Sequence, residues 1–520
     1  MPPEQITPPV PPRTVFIELT SHCNMHCEFC PSDVLRRKKC NMDDTLVRGF
    51  LDQLHALGLR PPVLLNVMGE PLLNKRVYEY LDLLESEGHQ VTLITNMTML
   101  TDKAVQREIL THENVTLALS LQTATAVSYR RRGYPRLPFK DFFALIDDVV
   151  EEKFRLGSGT RLEIHIAANY VVSHDQTIQA DSPLDLWPNF SSEKTEKRWI
   201  EKMLRRLDSF GRRLRRKYSA ALEREEVRTA ALYRDHIGSR IATTRSQLPP
   251  LFFRLKDEVF WGYMPIPNVF LVFKSFELWA RDEAFLRHIL PADKFIYNEE
   301  NPGPRPCSMT ESFGLLANGE YVFCCLDYEG EMALGNIAAN PVAQVLASEK
   351  RERIRADAMS EPLCRRCKGN LFIFDTAPLV AGEQKIDKFG RGFWPWEPGL
   401  HGRGGRWTKG EAWAYVYARI PARGLVIEYF SELAAAAGLE VEIQVFLEVD
   451  RSWRPEKTAV GQIRAHAFER RWIDFSFRSG HFYRIILRSP TFVPDEILGN
   501  GDTRRLGLAI HGLRLEKAAP

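Results

Sequence analysis

Three cysteines spaced C-x3-C-x2-C follow directly on an apolar run: residues 14 to 31 read TVFIELTSHCNMHCEFCP. A run such as TVFIEL predicts a buried strand, which puts Cys23, Cys27 and Cys30 in the loop at its C-terminal end. Three thiolates this close in sequence can hold three irons of one cubic 4Fe–4S cluster, and the missing fourth ligand leaves one iron open to an outside molecule. A structural zinc ion is the competing reading. It needs a fourth protein ligand, which His22 or His26 would have to supply.

At 520 residues the chain is too long for one core and fits about three domains. With 44% hydrophobic and 26% charged residues it has the composition of a soluble globular protein. A net charge of +3 gives no global field that would recruit nucleic acid, and no apolar run approaches the roughly 20 residues of a transmembrane helix. The first residues, MPPEQITPPVPPR, are proline-rich and lack the basic start and apolar core of a signal peptide, so the expectation is a cytoplasmic protein with a short disordered lead-in. Nine cysteines in such a chain point to metal rather than disulfides. Four lie between positions 23 and 40 and five between 307 and 367.

From 14 to about 170, β-rich runs alternate with amphipathic helical stretches. Strands are expected at TVFIEL, VLLNVM (63–68), VTLIT (91–95), VTLALSL (115–121) and RLEIHIAANYVV (161–172). Between them, Leu46, Phe50, Leu54 and Leu57, then Val77, Leu81 and Leu84, then Phe142, Leu145, Ile146 and Val149 recur at helical spacing. Repeated βα units imply a parallel sheet covered by helices, with the chemistry at the C-terminal strand ends.

The cysteine spacing resembles the signature of the radical S-adenosylmethionine (SAM) superfamily, with Phe29 as the aromatic that precedes the last cysteine. That resemblance implies a partial (β/α)6 barrel and a SAM site at the strand ends. In VMGEPLLN, Gly69 and Glu70 resemble the glycine-glutamate motif that receives the SAM amino group, although Met68 stands where a further glycine is common. Thr95 and Asn96 occupy a polar pair near the ribose, Ser120 and Gln122 positions that contact ribose or the SAM carboxylate, and Asn169 another ribose-side position. Each of these, taken singly, also reads as a satisfied turn or strand-end group. In YRRRGYPR, past strand four, Arg132 is the candidate clamp for the carboxylate, since a guanidinium makes paired hydrogen bonds to one.

Residues 175–260 break the βα rhythm. Ile200, Leu204, Leu207, Leu214, Tyr218 and Leu222 fall at helical spacing and GRRLRRK (211–217) is basic, which predicts a long amphipathic helix or a pair with a solvated charged face; a phosphate-bearing substrate or an anionic surface is the other reading. The last barrel strand is expected within 261–300, at NVFLVF (268–273). Over 301–378, Cys307, Cys324, Cys364 and Cys367 make a complete four-thiolate set, able to hold a cluster with no open iron, or a zinc ion. With Gly319 five residues before Cys324, the arrangement resembles the auxiliary-cluster module, SPASM-like or its shorter twitch form, of certain radical SAM enzymes, aminocyclitol dehydrogenases among them. Cys325, on the opposite face of a strand from Cys324, is left over; it reads as a buried thiol or a hydrogen-atom donor, and so does Cys40.

After a linker at 379–409, residues 410–520 read as a β-sandwich: AWAYVYARI, LVIEYF, VEIQVFLEV, WIDFSF, FYRIILR and LAIHGLRL. GRWTKGEA and DTRRLGLAI resemble the accessory β-module of bacterial glycan-biosynthesis enzymes. The combined expectation is an α/β radical SAM oxidoreductase with two 4Fe–4S clusters. It would take electrons from a flavodoxin- or ferredoxin-type reductant, form a 5′-deoxyadenosyl radical and oxidise a sugar, cyclitol or polyol hydroxyl. The rivals are a sugar epimerase with a cysteine donor, a peptide-modifying maturase, and a zinc-stabilised glycan-binding scaffold.

Overall fold

The computed structural model describes residues 11–134, 136–167, 193–237, 251–255, 258–274, 283–289, 295–298, 311–368, 370–374, 383–386, 388–430, 440–449, 452–462 and 468–517. Two compact units result: Met1–Ile289 with Pro304–Lys368, and Leu290–Gly303 with Gly369–Pro520. Among the described residues no helix is long and apolar enough to cross a membrane.

In the first unit the chain runs β1 (Thr14–Ile17), α1 (Asp44–Ala56), β2 (Val63–Leu64), α2 (Val77–Ser86), β3 (Val91–Thr95), α3 (Lys103–Leu110), β4 (Val115–Gln122), α4 (Ala126–Arg130), α5 (Phe139–Leu156) and β5 (Arg161–Ala167). Each helix buries one apolar stripe, for example Val47, Phe50, Leu51 and Leu54 of α1, and Asp43 caps that helix by accepting from the Thr45 N–H. Strand β5 is buried at every position, as a parallel strand covered on both faces must be.

Helices α6 (Glu193–Lys217) and α7 (Ser219–Ile237) follow, then β6 (Leu251–Leu255), β7 (Glu258–Ile266), β8 (Val269–Lys274) and α8 (Glu283–Ile289). Strand β9 (Phe295–Asn298) belongs to the second unit, and β10 (Ser312–Leu315), β11 (Glu320–Val322) and β12 (Gly335–Asn336) return to the first. The strands form one eleven-stranded sheet in the order β12-β11-β10-β1-β2-β3-β4-β5-β8-β7-β6. From β10 to β8 every pairing is parallel, and the flanking strands pair antiparallel. The alternation predicted from sequence is therefore present as a parallel sheet with helices, extended at both edges by antiparallel strands.

Three expectations need correction. Strand two covers Val63–Leu64 rather than 63–68, because the chain leaves the ladder to enter the turn at Gly69, whose φ is +78°. The inserted segment is not helical as far as 260: LFFRL and EVFWGYMPI pair as an antiparallel hairpin, where aromatic and β-branched residues suit a strand better than a helix. The proposed linker contributes short strands, Gln384–Lys385, Lys388–Phe389 and Arg406–Trp407, to the sheets of the second unit.

The helical pair itself packs on the sheet, since Ile200, Met203, Leu207, Phe210, Leu214 and Leu222 belong to the same buried cluster as the parallel strands. A buried ion pair pins it there. Lys153 of α5 donates to Glu225 of α7 at 2.7 Å, and Glu225 also accepts from Asn268 at 2.8 Å. The basic stretch 211–217 is laced by ion pairs with Asp208, Glu226 and Glu151, as a solvated charged face would be.

In the second unit two five-stranded antiparallel sheets share one apolar core built from Val416, Leu425, Ile427, Val441, Ile443, Ile485 and their neighbours. That is a sandwich. One of its strands, Ser452–Gln462, was not anticipated from sequence; it lies at the edge of its sheet and carries Arg454, Pro455 and Lys457, which discourage further pairing.

Candidate metal centre

The loop after β1 is held from three sides. Glu18 is fully buried, and its carboxylate accepts from Arg37 Nη2 at 2.5 Å, from the Met68 N–H at 3.1 Å and from the Ala317 N–H at 2.9 Å. One side chain thus ties the end of β1 to the turn before Gly69 and to the turn after β10. Arg37 also donates to the Tyr328 carbonyl at 2.5 Å. Further along, the His26 N–H donates to the Arg132 carbonyl at 3.2 Å and the Glu28 N–H to that of Arg131 at 2.9 Å, so the segment after α4 brackets the cysteines.

Cys23, Cys27 and Cys30 are each partly exposed, yet enough protein surrounds their sulfurs to raise all three thiols. Burial pushes Cys23 up to about 11 and moves Cys27 and Cys30 upward as well, with the neighbouring thiols adding to the rise at Cys23 and Cys30. Three such groups facing one another become thiolates readily only beside a cation. Donors are already in place: the Met25 N–H and Asn96 Nδ2 point at Cys23 Sγ at 3.5 and 3.6 Å, and Arg132 stabilises the Cys27 thiolate by charge and hydrogen bond. Ligands of one tetrahedral zinc lie only about 3.8 Å apart, from a Zn–S distance of ~2.3 Å. A cubic cluster instead spreads its ligands over separate irons and takes one thiolate for each. His22 and His26 are exposed, and His26 Nδ1 is engaged with Asp33 at 3.1 Å. The donor set fits an iron–sulfur cluster.

The candidate SAM residues gather at the same strand ends but in unequal roles. Glu70 is buried, and its carboxylate accepts from Thr95 Oγ1 at 2.8 Å and from the N–H groups of Asn96 and Leu72 at 2.6 and 3.3 Å; burial raises its carboxyl to about 7. Glu70 and Thr95 are both buried and join the turn after β2 to the end of β3. Asn96 spans Cys23, Asn24 and Thr98. Ser120 and Gln122 sit at a bulge in the pairing of β4 with β5, after which Gln122, at φ +53°, pairs with Ile166. Arg132 is buried, donates to the Ser120 and Leu121 carbonyls and interacts with Cys27, so its guanidinium braces the end of β4 beside the cysteine loop. Phe29 is half-buried in the cysteine loop, and Asn169 lies outside the described residues.

Gly69 allows this packing. A Cβ there would stand 2.2 Å from the Thr20 carbonyl oxygen and 2.8 Å from that of His22. Gly69→Ala should therefore cost about 2 kcal/mol or more, read as a fall in the urea midpoint of the metal-free chain.

The second set is also brought together. Cys324, Cys364 and Cys367 pack around one apolar cluster with Phe323, Met332, Ile354 and Leu363, and Cys364 approaches Met332 Sδ at 3.8 Å. Cys307 falls outside the described residues. The expectation that Cys325 sits across a strand from Cys324 is corrected, because β11 ends at Val322 and both cysteines lie in the following turn with their thiols hydrogen-bonded. Cys325 packs against the apolar cluster of Phe16, Val67 and Met68, as Cys30 also does. Cys40 lies beside Ser21, whose hydroxyl accepts from the Cys40 N–H at 2.8 Å.

Asp327 closes this turn by accepting from the Glu331 and Met332 N–H groups at 2.8 and 3.0 Å, and burial raises its carboxyl from 3.8 to about 6. Between those values the folded chain holds a proton that the unfolded chain has released, so stability falls as pH rises through the window, by at most about 1.4 kcal/mol per unit. In denaturant midpoints taken across it, Asp327→Asn should remove that slope.

Two family models match the chain: that of the Radical SAM superfamily over residues 17–163, and that of an iron–sulfur cluster-binding domain, SPASM, over 307–368. The chain carries a radical SAM domain and a SPASM iron–sulfur domain. The chain shares 30% identity over 95 residues with the S-adenosyl-L-methionine-dependent 2-deoxy-scyllo-inosamine dehydrogenase of Niallia circulans, covering 18% of this chain and 38% of that one. It shares 26% identity over 94 residues with the tungsten-containing aldehyde ferredoxin oxidoreductase cofactor-modifying protein of Pyrococcus furiosus, covering 18% and 26%. The chain thus spans well under half the length of these relatives. A crystal structure of BtrN in complex with AdoMet and 2-DOIA superposes with a TM-score of 0.31 at 12% identity, over 68% of this chain and 91% of that one.

In the radical SAM domain, sequence reasoning placed the cysteines and Glu70 but missed Glu18. Its signal was a carboxylate inside an otherwise apolar strand run. Nothing marked Asn24 and Arg37 as partners of the site.

Proposed function

We propose that this radical SAM enzyme oxidises a hydroxyl of a sugar, cyclitol or related polyol. The observation that supports this is the pairing of a three-cysteine set that leaves one iron open with a second cysteine set suited to a closed cluster. When bound, the first cluster with SAM supplies a 5′-deoxyadenosyl radical that takes a hydrogen atom, and the auxiliary cluster supplies an acceptor for the electron left behind. The hydroxyl proton goes to solvent, so a secondary alcohol becomes a ketone. Cys23, Cys27 and Cys30 would hold the first cluster; Cys307, Cys324, Cys364 and Cys367 the second. Glu70, Thr95 and Asn96 fix the strand ends around the first site, and Arg132 places positive charge on Cys27. A ferredoxin- or flavodoxin-type protein would deliver the first electron, and a cytoplasmic setting follows from that requirement.

Anaerobic reconstitution should give about eight irons with matching sulfide, from two four-iron clusters. Polyols deuterated at the reacting carbon should then pass deuterium into 5′-deoxyadenosine, with one ketone formed per SAM consumed. No transfer from any sugar or cyclitol would end this substrate assignment.

The position of Cys325, against the same apolar cluster as Cys30, favours one second reading, epimerisation with Cys325 returning a hydrogen atom. Under the dehydrogenase reading Cys325→Ala leaves ketone formation unchanged. Under the epimerase reading that variant loses inversion and accumulates oxidised or uncoupled product.

A further inference from the structure

We propose that His55, Glu87 and His89 form a second, cluster-independent metal site that takes zinc or a similar divalent cation. His55 lies in the last turn of α1, Glu87 caps the C-terminus of α2, and Gly88, at φ +78°, turns the chain so that His89 leads into β3. The opposite end of β3 meets Asn96 and Cys23, so five residues of strand, roughly 16 Å, separate this group from the cysteines.

The ligand atoms of the three residues lie within 4.8 Å of one another, and they are the one such group of three among the described residues. His55 Nε2 and His89 Nε2 stand 2.8 Å apart, and His55 Nε2 lies 3.5 Å from Glu87 Oε2. Tetrahedral zinc at ~2.0–2.1 Å from each ligand would separate them by about 3.3 Å, so the two rings need to open by roughly half an ångström. His89 is fully buried, and its Nδ1 donates to the Pro61 carbonyl at 2.8 Å, which directs the Nε2 lone pair at the group. A carbonyl on the far nitrogen is the usual support of a metal-bound imidazole.

Two further facts point to a cation. Glu87 Oε2 is buried with no hydrogen-bond partner, so the metal-free pair of histidines leaves a carboxylate oxygen unsatisfied. The C-terminal ends of α1 and α2 both converge here, and helix carbonyl ends favour positive charge. Arg60, which donates to the Glu87 carbonyl at 3.2 Å, is a nearby cation and opposes binding. His55 and Glu87 keep 16% and 22% of their side-chain surface exposed, leaving room for a water as fourth ligand. Two imidazoles and a carboxylate suit zinc. Bound there, the ion would cross-link α1 to the turn that starts β3, as a structural pin remote from the reaction.

The test uses the full chain with its clusters reconstituted, equilibrated with zinc and then desalted. One zinc per chain should remain, and its X-ray absorption edge should show a shell of nitrogen and oxygen near 2.0 Å with no sulfur near 2.3 Å. Zinc should raise the unfolding temperature, and His55→Gln and Glu87→Gln should each weaken zinc affinity at least tenfold in chelator competition and abolish that rise. Retention of no zinc, a sulfur shell, or unchanged affinity in both variants would overturn the proposal. The absorption measurement on the unaltered chain decides even if a variant folds poorly, and iron-dependent SAM cleavage is unaffected by its outcome.

Discussion

Replacing Cys30 by alanine should lower the iron content of the reconstituted enzyme from about eight to about four and take 5′-deoxyadenosine formation under dithionite to background. Two thiolates cannot hold a cube whose fourth corner already lacks a protein ligand, and the half-site leaves Cys23 and Cys27 where burial raises their thiols. The four irons that stay should belong to the set around Cys324, Cys364 and Cys367, which packs in a separate apolar cluster. Cys325→Ala is the matched control, because Cys325 shares Cys30's surroundings but belongs to neither ligand set. Turnover that survives in Cys30→Ala would refute the assignment of the open cluster.

Much of this site was legible because its chemistry is local in sequence. The spacing of Cys23, Cys27 and Cys30 is set within one loop, and β1, β3 and β4 have the apolar runs of strands covered on both faces. What was not legible depends on contacts distant in sequence. Three consecutive arginines give no sign that Arg132 is the buried one; Gly133, at φ +61° against the His26 carbonyl, decides that by letting the chain close on the cysteine loop. The strand-end position of Asn96 gives no sign that its amide donates to Cys23 and Asn24 across 72 or 73 positions of chain. In the sandwich, the edge strand Ser452–Gln462 has no apolar alternation, and only its backbone ladder with Glu440–Val449 identifies it.

Glu18 and Arg37 carry the largest stability effect expected in the first unit. Both side chains are nearly inaccessible, at 0% and 7% exposure. Arg37→Met would leave a buried carboxylate with only the Met68 and Ala317 N–H groups, and removing one partner of such a pair costs about 3–5 kcal/mol. Burial already holds the Glu18 carboxyl above its ordinary 4.5 against the pull of Arg37. Without the guanidinium it rises further and the group takes up a proton on folding, so the penalty should shrink as pH is lowered toward 4.5 and grow as pH rises. Glu18→Gln added to Arg37→Met should recover most of the loss, since it removes the charge while keeping an acceptor for one of the two amides. A double-mutant cycle in urea measures that coupling. Because Glu18 reaches both the turn at Met68 and the turn at Ala317, Arg37→Met should also lower iron retention at both clusters together; loss confined to one would show that the two sites are not braced through this carboxylate.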